Sequence, residues 1–205
     1  MKAAYTVLWN RERCVALRKA GEEGKPLQVL FGGIHQSAPS FKRAGIVQGD
    51  VVFPVSVYKG LLYVLAGVVV AEFVELADYA VNQLGIERES VAGLHDFQIQ
   101  KLIHQRFDPL GHRSPYGCDI EVLLTERSTP LRFDVAVPSE MLERVTFCPR
   151  KGAPLGLKYI HNGRLSSAIS LQGNIRRLCA STANLFAELV CLFVGKHETP
   201  PLLTS

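Results

Sequence analysis

The segment GDVVFPVSVYKGLLYVLAGVVVAEF, from Gly49 to Phe73, constrains this chain more than any other. Two runs rich in β-branched and aromatic residues, Val51 to Tyr58 and Leu61 to Val70, flank Lys59-Gly60. Glycine supplies the positive φ of a two-residue turn, so the spacing predicts an antiparallel hairpin. Both runs are apolar on both faces, which suits strands buried on two sides or curled into a small barrel. Val52, Val55, Val57, Leu62, Val64 and Val69 are expected inside. Pro54 cannot donate to a ladder and predicts an edge or a bulge in the first strand.

The rest of the chain reads as elements around that hairpin. Thr6 to Leu8 suits a short strand and Arg11 to Ala20 a helix; Leu27 to Phe31 is a short apolar run. A helix is predicted from Glu89 to Phe107, with Ser90 as its cap. Ile120 to Leu124 and Leu131 to Val137 read as strands joined by a polar turn, and SEMLERV as a short helix. Asn162-Gly163 is a strong two-residue turn signal between Leu157–Ile160 and Leu165–Leu171. Ser181 to Phe193 carries Leu185, Leu189 and Leu192 on one stripe and predicts a closing helix. The expected fold is α/β (α+β), a small antiparallel β-barrel-like core with flanking helices. Residues 1–125 are expected to form the barrel domain and 126–196 an α+β extension packed on it. Residues 197–205, bearing Pro200 and Pro201, are expected to be a disordered tail.

Composition narrows the class rather than the function. The chain has 205 residues, is 47% hydrophobic and carries a formal net charge of +4, which is ordinary globular usage. The longest apolar stretch, Leu61 to Val74, is shorter than the roughly 20 residues of a membrane span and is interrupted by Glu72. No signal peptide is visible, and no membrane partner is expected. The five cysteines are Cys14, Cys118, Cys148, Cys179 and Cys191, and no two stand in a CxxC pair. Five reduced thiols and a cytoplasmic location follow as expectations.

No P-loop, GxSxG elbow or HExxH motif occurs. His95, His104, His112 and Cys118 match no common zinc spacing, so no metal and no cofactor is expected. The loop before the hairpin is richer: His35, Gln36, Ser37, Ser40, Lys42 and Arg43 surround Phe41. Polar donors, a basic pair and a stackable ring are the equipment of a nucleotide-contacting loop. Arg113 and Tyr116 make a second basic-aromatic loop. Arg176-Arg177, with Lys158 and Arg164, make a third basic cluster.

Ile46, Gly49 and Asp50, followed by the hairpin, resemble the Ile-x-x-Gly-Asp turn of the PUA-like superfamily, whose members include EVE, YTH and ASCH domains. Trp9, at the end of a first strand, resembles the early tryptophan of EVE domains. The likeness covers about residues 1–125. Gly24-Lys25-Pro26 does not reproduce the ASCH signature, and a single tryptophan cannot build a YTH cage. The resemblance implies a small barrel that binds RNA or modified DNA. A flipped or single-stranded base would then stack on Phe41 or Trp9, while Lys42 and Arg43 hold phosphate. Two alternatives stand beside this: a small hydrolase using Lys25, Lys42 or His35 on a nucleoside or nucleic acid, and a protein-interaction or immunity-type protein.

Overall fold

The computed structural model describes residues 2–33, 39–106, 120–171 and 175–192. The expected tail, 197–205, lies outside the described residues. In chain order the elements are β1 (Ala4–Leu8), α1 (Arg11–Lys19), β2 (Val29–Gly32), α2 (Phe41–Ala44), β3 (Val51–Tyr58), β4 (Leu61–Val64) and β5 (Val68–Val74). Then come α3 (Leu76–Asn82), α4 (Arg88–Val91), α5 (Asp96–Arg106), β6 (Glu121–Ser128) and α6 (Ser139–Leu142). Short strands β7 (Thr146–Phe147), β8 (Leu155–Gly156), β9 (Ile160–His161), β10 (Arg164–Leu165) and β11 (Arg176–Arg177) precede α7 (Ala180–Leu192).

One curled, mixed sheet forms the centre, in the order β11-β1-β3-β5-β6-β2, with β4 also paired to β3. The expected barrel-like α+β core is therefore present as an open sheet. One pairing departs from the antiparallel expectation. β1 runs parallel to β3, with Tyr5 opposite Val52 and Leu8 opposite Val55. The long connection that a parallel pair requires here carries α1, β2 and α2.

The hairpin turns where its residues dictate. Lys59 has φ 49° and Gly60 φ 77°, the paired left-handed conformations of a type I′ turn. Ser56 faces Tyr63 and Val55 faces Val64. The second arm then shifts by one residue: Val52 faces Val68 and Val51 faces Val69. β4 and β5 are thus one arm interrupted at Leu65–Gly67. This explains Pro54. β3 is a central strand, not an edge, but the Pro54 carbonyl accepts from Leu65 N–H at 2.9 Å, so its missing N–H faces the interruption. Of the side chains expected inside, all but the half-buried Val57 are fully buried.

Three apolar clusters hold the layers together. Phe53, Val55, Val64 and Leu142 pack against α7, where Phe53 and Phe186 meet edge to face at 5.7 Å. Tyr5, Trp9, Leu30, Phe41, Ile46 and Leu123 form the second. Phe31, Leu76, Tyr79, Ile99 and Ile103 form the third, beneath α3 and α5.

Other expectations need adjustment. The single helix from Glu89 to Phe107 is two, α4 and α5, separated around Gly93, whose φ of 73° ends the first; Phe107 lies outside the described residues. Helix α3 was not anticipated, although Leu76, Tyr79 and Ala80 are its buried stripe. Leu131 to Val137 is no regular strand, yet it runs beside β4 through Val64 N–H to Val135 and Val137 N–H to Leu62. Asn162 and Gly163 do turn a hairpin, with φ 49° and 68° between β9 and β10. Among the described residues no helix is long and apolar enough to cross a membrane.

Five free thiols is a reading the structure overturns. Cys148 and Cys179 form a disulfide with Cα atoms 5.0 Å apart; Cys14 and Cys191 are free, and Cys118 lies outside the described residues. The pairing follows from a bridge that sequence spacing does not reveal. Phe147 pairs with Leu178, flanked by Cys148 N–H to Arg177 and Cys179 N–H to Thr146. The thiols therefore no longer argue for a reducing compartment.

Candidate functional site

The loop that the sequence singled out is only partly described: His35, Gln36, Ser37, Arg113 and Tyr116 lie outside the described residues. Its C-terminal half is the short helix α2. Ser40 caps it by accepting from Arg43 N–H at 3.0 Å, and Gly45 closes it at φ 77°. From β6, the Glu121 carboxylate takes the Ser40 hydroxyl at 2.5 Å, Phe41 N–H at 2.7 Å and Lys42 N–H at 3.2 Å. This grip turns Phe41 inward, where it is 1% exposed. Trp9 is 6% exposed in the same cluster. Neither ring offers a free face to a base, so the stacking roles given to Phe41 and Trp9 are replaced by core packing. Lys42 meets Glu75 at 3.5 Å, and the Arg43 side chain is exposed, with no side-chain partner among the described residues.

A concave feature lies elsewhere, between α1 and the β3–β4 hairpin. Asn10 caps α1 by accepting from Arg13 N–H, and only Leu17 of this helix is fully buried. Arg11 and Arg18 are seven residues apart, which places both on one face about two turns apart. That face borders a cavity of about 500 Å³ that Ser56, Tyr58, Tyr63 and Phe133 also line. Ser56 and Tyr58 share a face because strand side chains alternate.

Cations lie over the rings. The Arg11 guanidinium is 5.1 Å from the Tyr58 ring centre, and Arg18 is 4.9 Å from that of Phe133. Lys59 also approaches Tyr58, at 5.4 Å, and Lys19 adds a charge at the rim. Arg18 is shared with Glu23 at 3.3 Å, both substantially exposed. No Asp, Glu or His is among the described residues lining the cavity. Cys14 lines it as well, but burial pushes its thiol pKa up, outweighing the Ser56 hydrogen bond and the pull of Arg13 and Arg18. It is a neutral thiol near pH 7, not a poised nucleophile. The Ser56 hydroxyl is committed to the Trp9 carbonyl at 3.1 Å. The arrangement attracts anions and presents ring faces, and it lacks an acid–base pair.

This groove escaped the sequence reading. Its signals were the helical spacing of Arg11, Val15 and Arg18 and the alternation of Ser56 with Tyr58. Of the third basic cluster, Arg164 lies against Gly60 beside this hairpin, while Arg176 and Arg177 lie on β11 opposite Thr6 and Tyr5.

A second cavity of about 470 Å³ lies between Lys25, Leu27 and α3. Lys25 is exposed there and paired with Glu22 at 3.0 Å, and burial pushes the Tyr79 phenol up to about 12. Among the described residues no three His, Cys, Asp or Glu side chains gather as metal ligands would. In comparisons with protein-family models, curated proteins and solved structures, nothing matches this chain.

Proposed function

We propose that this protein is a nucleic-acid-binding module and that the groove between α1 and the hairpin is its binding surface. The observation that carries the reading is the pairing of Arg11 with Tyr58 and Arg18 with Phe133 around a cavity whose described lining holds no carboxylate, with Glu23 meeting Arg18 outside that lining. Phosphates meet the guanidinium groups, and bases take the ring faces those groups now cover. Magnitudes favour the exchange. An exposed cation–π contact is worth about 0.5–1 kcal/mol, whereas a base stacked on an aromatic side chain contributes about 1–3 kcal/mol. The displaced guanidinium also gains a phosphate partner. The cavity is large enough for one base turned out of a strand, since small-ligand sites run to about 300–1,000 Å³. The PUA-like resemblance at Ile46, Gly49 and Asp50 supports the same reading.

The hydrolase alternative draws on Lys25, Lys42 or His35: Lys25 and Lys42 are both exposed and ion-paired, His35 lies outside the described residues, and the thiol of Cys14 in the groove is held neutral. Location is tested by footprinting. Cys14 lines the groove and Cys191 is a free thiol outside its lining, so the two serve as probe and control. At alkaline pH, a bound oligonucleotide slows alkylation of Cys14 and leaves Cys191 unchanged. Binding without protection of Cys14 would move the site elsewhere.

A further inference from the structure

The groove does not end at Tyr58. Beyond it stands the Lys59-Gly60 turn, and against that turn lies the second hairpin, β9–β10, from a segment about one hundred residues further along the chain. Leu165 N–H donates to the Gly60 carbonyl at 2.8 Å, and a Cβ placed on Gly60 would meet Arg164 Cβ at 3.1 Å. Glycine is required here both for its φ of 77° and for this close approach. The second turn is fixed in its own right, since a Cβ on Gly163 would fall 2.7 Å from Ser139 Cβ. Lys59 and Arg164 are both exposed. The Tyr58 ring carries Arg11 from the groove and Lys59 from the turn, so the two regions share one ring.

Resting on the groove as the binding surface, we propose that it is one end of a continuous track for a single-stranded polynucleotide, which passes from Arg18 and Phe133 over Tyr58 to the paired turns at Lys59 and Arg164. Single strands fit this track for a physical reason. Its ring faces, Tyr58, the half-buried Tyr63 and Phe133, line a concave cavity. Bases in a duplex are stacked on one another and cannot reach such faces, whereas an unpaired strand splays its bases freely. The cations then follow the backbone without reading sequence.

The test is fluorescence anisotropy with labelled oligothymidine, short and long, and with the long strand annealed to its complement. Lys59→Asn keeps a residue that tolerates the left-handed turn, and Arg164→Ala keeps the Cβ beside Gly60. Thermal midpoints check that both variants fold. The account predicts at least roughly tenfold preference for single strand over duplex, in line with stacking lost on pairing. It also predicts that the K59N/R164A double variant weakens the long strand more than the short one, lowering the long strand's log–log salt slope by about 0.7 for each cation removed. Equal affinity for duplex, or a double variant that binds the long strand like wild type, overturns the track. If Arg11→Ala with Arg18→Ala leaves every oligonucleotide unaffected, the groove itself is wrong, a separate outcome.

Discussion

Glu121 accepts the Phe41 backbone N–H at 2.7 Å across 80 residues of chain, joining β6 to the first turn of α2. The same carboxylate holds the Ser40 hydroxyl and Lys42 N–H. Hydrogen bonds to a charged group contribute about 1.5–3 kcal/mol each, and here Oε1 takes the Ser40 hydroxyl while Oε2 is shared by the Phe41 and Lys42 N–H groups. Glu121→Ala is therefore expected to destabilise the protein by about 2–3 kcal/mol in urea unfolding, with Phe41 loosened from the core. A change of under about 0.5 kcal/mol, the usual range of an inert surface substitution, would show that the contact is incidental.

The Cys148–Cys179 disulfide closes a loop with a sequence separation of 31 residues. On the chain-entropy account such a loop contributes about 3–4 kcal/mol of stability. Non-reducing peptide mapping should recover the two cysteines as one linked peptide, and a reductant should lower the urea midpoint. Recovery of both as separate alkylated peptides, without reductant, refutes the bond.

Tyr79 predicts an alkaline limit. Its phenol is 5% exposed and pushed up to about 12 by burial, against an ordinary value of 10.0, and its ring meets Phe31 edge to face at 5.5 Å. Between those two values the unfolded chain has released a proton that the folded chain retains, so stability falls as pH rises from 10 to about 12. Two units correspond to about 2.7 kcal/mol. Tyr79→Phe is expected to flatten that decline in pH-dependent unfolding. A decline of the same steepness in the variant would assign it to other groups.

How much of this was legible depended on how local each cause was. The hairpin was legible because Lys59-Gly60 and the apolar runs beside it specify their own geometry. Asn162-Gly163 was legible for the same reason. Pro54 in a central strand was not, because its accommodation depends on the break at Leu65–Gly67 in the partner arm. Phe41 was misplaced by its polar neighbours. Yet Ser40 and Gly45, at cap and C-cap spacing, marked a helical turn, and a turn can rotate one residue inward. The Glu121 cap and the disulfide join residues with separations of 80 and 31, which no local pattern reveals. The groove combines both cases. Arg11 and Arg18 announce a helix face, but their approach to Tyr58 and Phe133 belongs to the packing of α1 on β3 and the strand-like segment after β6.

The most direct measurement is the salt dependence of oligonucleotide binding in three proteins: wild type, Arg11→Ala/Arg18→Ala, and Lys42→Ala/Arg43→Ala. Counterion release makes log affinity fall linearly with log salt, with about 0.7 of slope for each single-strand phosphate neutralised. The account predicts a shallower slope in the Arg11/Arg18 variant, by about 1.4, and a smaller change in the Lys42/Arg43 variant. Lys42 already pairs with Glu75, and α2 is anchored through Glu121 rather than held open for a ligand. An Arg11/Arg18 variant with the wild-type slope, or wild-type protein that binds no oligonucleotide at low salt, would contradict the central claim.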